Sequence, residues 1–132
     1  LKRAEDLLGR FKLSHMRDEY AATLSGGQRK LLEMARALMS EPKLILLDEP
    51  MAGVNPVLVE SLLVHIENLR DEGVSVLFIE HDMDAIMGIS DWIVVLAEGQ
   101  VIAEGTPSDV SKNPAVIDAY LGSAIAEELK DV

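Results

Sequence analysis

Three short stretches of this sequence combine residue types that can act on a charged ligand: Ser25-Gly26-Gly27-Gln28, Asp48-Glu49 and Glu80-His81-Asp82. The first follows Leu24 and opens a helix-forming run from Arg29 to Met39. Serine is a preferred helix N-cap, because its hydroxyl accepts a hydrogen bond from a free amide of the first turn. Gly26 and Gly27 let a bulky anion approach the backbone without meeting a side chain. The helix beyond adds about half a positive charge at its N-terminus. Together these features make a phosphate-binding end, although taken alone they equally describe an ordinary capped helix after a glycine turn. The second stretch closes Leu44-Ile45-Leu46-Leu47, four apolar residues that read as a buried parallel strand with carboxylates at its C-terminal tip. In open α/β sheets that tip is where ligands bind. An isolated histidine at a strand end is more often structural than reactive, so His81 takes its meaning from its neighbours.

The elements that must position these groups can be read from periodicity. Leu1, Ala4, Leu8 and Phe11 recur at helical spacing, which predicts an amphipathic helix over residues 1–11. Residues 12–23 show no period and form the connection into the glycine pair, with His15 on the surface. The helix over 26–40 buries Leu31, Met34, Ala35 and Leu38 and ends before Pro42. Met51 to Pro56 makes a tight loop with Gly53 and Asn55 as its turn residues. Pro56 then opens a helix to residue 71, with Leu58, Leu62, Ile66 and Leu69 inward, His65 on a flank, and Gly73 ending it. A second buried strand, 74–79, delivers Glu80-His81-Asp82 to the same edge of the sheet as Asp48 and Glu49. Asp82 caps a short helix through Ser90. Strands 92–96, with Trp92 in the core, and 100–103 form a hairpin about Glu98-Gly99. Thr106-Pro107-Ser108 opens a small helix, and Pro114 opens another through Leu121. Two strand–helix–strand units with right-handed crossovers are the expected topology.

At this spacing and in this order the motifs resemble those of the ATPase subunit of an ABC transporter. Leu24-Ser25-Gly26-Gly27-Gln28 is similar to the family's signature sequence, and Leu44-Ile45-Leu46-Leu47-Asp48-Glu49 to its Walker B strand. The resemblance implies ATP and Mg2+ as cofactors. It puts Asp48 where the family holds the metal, usually through water, Glu49 where it has the general base, and His81 where its switch histidine reaches the γ-phosphate. A strand tip turns adjacent side chains to opposite sides, so one acid can face the metal and the other the water. Ser25, Gly26 and Gly27, with Gln28 nearby, match the residues that meet a nucleotide held by the opposite subunit. The loop around Asn55 corresponds to the D-loop, which usually carries Asp. The wording Glu49-Pro50-Met51-Ala52-Gly53-Val54-Asn55-Pro56, with Glu80-His81-Asp82-Met83 and Val101-Ile102-Ala103-Glu104-Gly105-Thr106-Pro107, resembles the uptake systems for branched-chain and other hydrophobic amino acids. The implied partners are a second ATPase subunit, transmembrane permease subunits and, indirectly, a substrate-binding protein. The implied location is the cytoplasmic face of the cell membrane.

The implied fold is α/β: a partial P-loop NTPase domain, mainly parallel sheet with flanking helices, ending in a hairpin and short helices. Residues 1–40 would be the end of a helical subdomain, 41–122 the end of the ATPase core, and 123–132 an acidic tail. No G-x-x-x-x-G-K-[ST] occurs in the 132 residues. In the family that phosphate loop lies upstream, and its strand sits between those matching 74–79 and 92–96. This predicts a vacant position in the sheet that invites pairing with another chain. The start at Leu1, inside an expected helix, likewise reads as that of a piece of a longer protein, and the piece alone is expected to hydrolyse ATP negligibly.

Composition fits this picture. The net charge of −11 argues against a nucleic-acid partner. The absence of cysteine excludes disulfides and thiolate metal sites and suits a cytosolic chain. No apolar run approaches a membrane span, and no signal-peptide segment is present. Two other classes share the motifs. Soluble ABC ATPases of DNA repair or translation usually carry long insertions or a second cassette, whereas the two motifs here lie close together. A non-hydrolysing partner subunit would offer only its signature, and the presence of both Glu49 and His81 argues against that.

Overall fold

A capped helix leading into an apolar strand sets the framework of the first part of the chain. In the computed structural model, which describes residues 1–120, α2 spans Gly26–Leu38 and β1 spans Leu44–Asp48. α2 buries Leu31, Met34, Ala35 and Leu38, the four residues that its period placed inward. It is preceded by α1, Lys2–Arg10, and by two single 3-10 turns, Ser14–Met16 and Ala21–Thr23. Arg3 on α1 donates to the Met39 carbonyl at 3.1 Å and pairs with Glu41, so a cation sits where the end of α2 leaves carbonyls unsatisfied. His15 is exposed, as expected. Phe11, Leu13 and Leu24 join α2 in the core.

After β1 the chain turns through Met51 to Asn55 into α3, Pro56–Asp71, then β2, Ser75–Ile79. Asn55 is not a turn residue. It is the N-cap of α3, with extended backbone and a side chain that accepts from the Leu58 amide at 3.0 Å. Gly73, at φ +88, follows the helix end in a conformation that a side chain would strain. α3 buries Leu62, His65, Ile66 and Leu69, while Leu58 is half-buried. β1 and β2 pair in parallel from Leu44 opposite Ser75 to Asp48 opposite Ile79. Ile45 is buried and Leu47 half-buried, but the other face carries Leu44, Leu46, Leu77 and Ile79 at 53%, 67%, 59% and 60% exposure. The expectation of strands buried on both faces therefore fails. Helices cover one side, and no described residue covers the other.

The chain divides into two compact units, and the second begins at Asp82. In it α4, Met83–Ile89, is capped by Asp82, whose carboxylate accepts from the Ala85 amide at 3.1 Å. β3, Ile93–Ala97, and β4, Gln100–Gly105, make an antiparallel hairpin about Glu98 and Gly99, both at positive φ. α5, Pro107–Ser111, and a helical run over 114–120 follow. Ile93, Val95, Ala103, Val110 and Val116 form this unit's core. Trp92 is outside β3 and 61% exposed, because the alternation that buries Ile93 and Val95 puts it on the other face. The parallel pair and the hairpin are separate two-stranded sheets, so only one strand–helix–strand unit closes among the described residues. The end of the last expected helix at Leu121 and the acidic tail lie outside the described residues. No described helix is long and apolar enough to cross a membrane.

Candidate functional site

The register of the parallel pair decides where the acids and the imidazole go. With Asp48 opposite Ile79, both strands deliver their next residues to one end of the sheet. The Glu49 amide donates to the Ile79 carbonyl at 2.9 Å, which carries the pairing one residue beyond β1. Glu49 itself sits at φ +44, in the left-handed region, where a residue with a Cβ is disfavoured by about 1–2 kcal/mol. The strand therefore ends at Asp48. The alternation expected for Asp48 and Glu49 as neighbours on one strand does not apply: Asp48 shares the exposed face with Leu44 and Leu46, and the turn aims Glu49. Glu49 Oε1 then lies 3.9 Å from His81 Nδ1, with both side chains more than half exposed. Strained backbone of this kind clusters at functional sites.

Glu80 is the residue that sequence reasoning left without a role. Its side chain is only 2% exposed, its Oε2 lies 4.0 Å from His81 Nδ1, and its Oε1 accepts from the Met51 amide at 2.8 Å. A carboxylate directly after an apolar strand was the signal, but its partner is 29 positions away and no periodicity finds it.

At the start of α2 the side chains are already engaged with one another. Ser25 Oγ accepts from the Gln28 amide at 3.2 Å, and Gln28 Oε1 accepts from the Ser25 amide at 2.9 Å. This capping box satisfies two donors reciprocally. It gives Gln28 a structural task at the end of the helix where a ligand contact was expected. The amides of Gly26 and Gly27, in the first turn, have no intrahelical acceptor. A Cβ on Gly26 would meet nothing within 4 Å, whereas one on Gly27 would overlap Leu58 Cδ2. A cleft beside Gly26 is lined by Arg29 and Lys30 and by Ala52, Gly53 and Val54 of the loop after the acids. A second cleft joins Lys30 to Asp48 and Pro50. The structure thus brings Asp48, Glu49 and His81 to one sheet end, and sets the glycine end of α2 beside the loop that leaves it. Arg29 and Lys30 were read only as helix residues, and they bring two cations to this region beside the carboxylate of Glu33.

No group of three or more potential metal ligands occurs among the described residues. Asp48 offers one exposed carboxylate. That fits Mg2+, which keeps several waters and is usually bound through one or two carboxylates together with phosphate oxygens.

Comparison with known proteins supports a common origin for these elements. Residues 1–52 match the family model "ABC transporter", and residues 100–126 match "Branched-chain amino acid ATP-binding cassette transporter". The chain is 47% identical over 127 residues to the probable branched-chain amino acid transport ATP-binding protein LivG of Archaeoglobus fulgidus, covering 96% of the chain and 49% of that protein. It is 48% identical over 113 residues to the high-affinity branched-chain amino acid transport ATP-binding protein BraF of Pseudomonas aeruginosa (85% and 44% covered). It is also 41% identical over 120 residues to the lipopolysaccharide export system ATP-binding protein LptB of Escherichia coli (91% and 50%). Among solved structures, the ADP conformation of an ATP-binding cassette of an ABC transporter superposes with a TM-score of 0.82 at 42% identity, over 92% of this chain and 49% of that one. The chain spans about half the length of the curated relatives it matches.

Proposed function

Because the chain belongs to the ABC transporter ATP-binding family, we propose that it is the part of an ATP-hydrolysing subunit that works on the terminal phosphate and its attacking water. The observation that carries this reading is the convergence of Glu49 and His81, 3.9 Å apart, at the tips of two parallel strands. Residues 1–40 belong to the helical subdomain and 41–122 to the ATPase core, where Asp48 is the Walker B carboxylate.

Glu49 orients the attacking water and takes its proton as the new P–O bond to the γ-phosphorus forms. The bond from that phosphorus to the β-phosphate's bridging oxygen breaks, and ADP leaves with the electron pair. The imidazole of His81 reaches the γ-phosphate and, through Glu49, shares the same hydrogen-bonding neighbourhood. Asp48 would hold Mg2+ through water, and the ion would supply positive charge to the phosphate. Gly26 and Gly27 present first-turn amides, and Ser25 the hydroxyl of its cap, to a nucleotide bound by a second ATPase subunit, and Asn55 lies on the loop that communicates across that dimer. The assembled subunits act at the cytoplasmic face of a membrane, on permease subunits fed by a substrate-binding protein.

The cargo is branched-chain or other hydrophobic amino acids, a reading supported by the match over residues 100–126 and by LivG and BraF. The similarity to LptB favours a second reading, export of an amphiphilic lipid. Transport assays with the cognate permease, supplied with leucine or with lipopolysaccharide, separate the two.

The ATPase reading is tested in the full subunit. Glu49→Gln should lower single-turnover hydrolysis by about a hundred- to ten-thousand-fold, as loss of a general base does, while ATP binding and ATP-dependent dimerisation persist. Hydrolysis at the wild-type rate would overturn it. The 132-residue chain alone, without a phosphate loop, should show no turnover above that of its Glu49→Gln variant.

A further inference from the structure

The loop Met51–Asn55 is held at both of its ends by side-chain hydrogen bonds. At its start, the Met51 amide donates to Glu80 Oε1 at 2.8 Å, and that carboxylate is almost wholly buried. A buried carboxylate is retained only where it is hydrogen-bonded, since an unsatisfied one is strongly disfavoured. Within the loop, the Ala52 amide donates to the Glu49 carbonyl at 3.1 Å and the Val54 amide to the Met51 carbonyl at 3.2 Å, with Gly53 at φ +69 making the turn. At its end, Asn55 caps the first turn of α3 through the Leu58 amide, and the Leu58 side chain closes against Gly27. A Cβ on Gly27 would overlap Leu58 Cδ2 and stand 3.2 Å from Cγ, whereas Gly26 faces open space. The two glycines therefore differ: one is open to a ligand, and the other makes room for a leucine.

We propose that Glu80 and Leu58 are positioning residues that clamp this loop between the His81-bearing strand tip and the glycine end of α2. The clamp fixes the spacing between the Glu49–His81 pair and the Gly26 amide. Neither residue is asked to touch substrate. The kinetic consequence rests on the ATPase reading above, and the structural consequence does not.

The test uses the full ATP-binding subunit and amide hydrogen exchange at Met51. Glu80→Ala should raise exchange there by at least about tenfold, as expected when a hydrogen bond to a charged acceptor is lost. Glu80→Gln, which keeps a carbonyl oxygen in place, should retain slow exchange. Glu80→Ala should also lower kcat for ATP with little change in KM, because the residue does not contact nucleotide. At the other end, Gly27→Ala should lower the melting temperature, and adding Leu58→Ala should recover most of that loss by making room for the methyl group. Unchanged Met51 exchange in Glu80→Ala, or a double variant no more stable than the sum of its single changes, would overturn the proposal. A subunit with no ATPase in any form would sink the functional reading, and the exchange and melting results would still decide the clamp.

Discussion

Two residues in the first unit sit in states that the one-dimensional pattern does not encode. Glu49 occupies the left-handed region at φ +44, which separates its direction from that of Asp48. A run of apolar letters predicts a strand but not the dihedral of the residue that leaves it. His65 is the other. The period places it on a flank of α3, and it is buried against Phe11, with ring centroids 4.5 Å apart and no hydrogen-bond partner for Nδ1. Burial, followed by the charges of Arg10 and Lys12, holds its pKa below the usual 6.5. The folded state thus keeps His65 neutral, while the unfolded chain protonates it near the ordinary value. Between the lowered pKa and 6.5 the unfolded state binds more protons, so stability from this group is complete above pH 6.5 and falls as the pH drops. Melting temperatures measured at pH 7.5 and pH 5 should show this loss in the wild type. His65→Phe, which fills the same apolar place without titrating, should lose less over the same interval. An equal loss in both proteins would assign the acid sensitivity elsewhere.

At the scale of elements, most of the first unit was legible because its signals are local. The inward face of α2, the bounds of α3 and the Pro56 start follow from period and end chemistry, as does the Asp82 cap in the second unit, and the structure shows each of them. Asn55 was misread for a related reason. Asparagine favours turns and caps by the same side-chain acceptance, and only the observed bond to the Leu58 amide distinguishes them. The distinction predicts a stability series. Asn55→Ala should lower the free energy of unfolding by about 1 kcal/mol, a typical value for a lost cap. Asn55→Asp should leave it unchanged or higher, since a carboxylate caps equally well and is favoured beside the helix N-terminus. Denaturant unfolding checks both. If alanine and aspartate proved equivalent, the cap would not be what holds the start of α3.

At the scale of the whole molecule, the sequence pointed to a sheet larger than either of the two that the described residues form. Leu44 to Leu47 carries apolar residues on both sides of the strand, which is the pattern of a parallel sheet covered on two faces. The structure covers one. Leu44, Leu46, Leu77 and Ile79 stand more than half exposed on the other, and the hairpin β3–β4 is a separate sheet. What would cover that face was not legible, because a strand's own letters show that a face is apolar but not what packs on it. The chain spans about half the length of the relatives it matches. Burying a leucine or isoleucine side chain is worth about 1.5–3 kcal/mol, so four bare ones give the isolated chain a strong reason to associate. Sedimentation of the 132-residue chain should therefore show concentration-dependent self-association. Leu46→Glu with Leu77→Glu, which places like charges opposite each other on that face, should abolish it. The same pair of changes introduced into the full subunit should reduce the folded yield, because there the charges would be buried. A wild-type chain that remains monomeric at high concentration, or a full subunit indifferent to the two glutamates, would mean that this face is solvated by design.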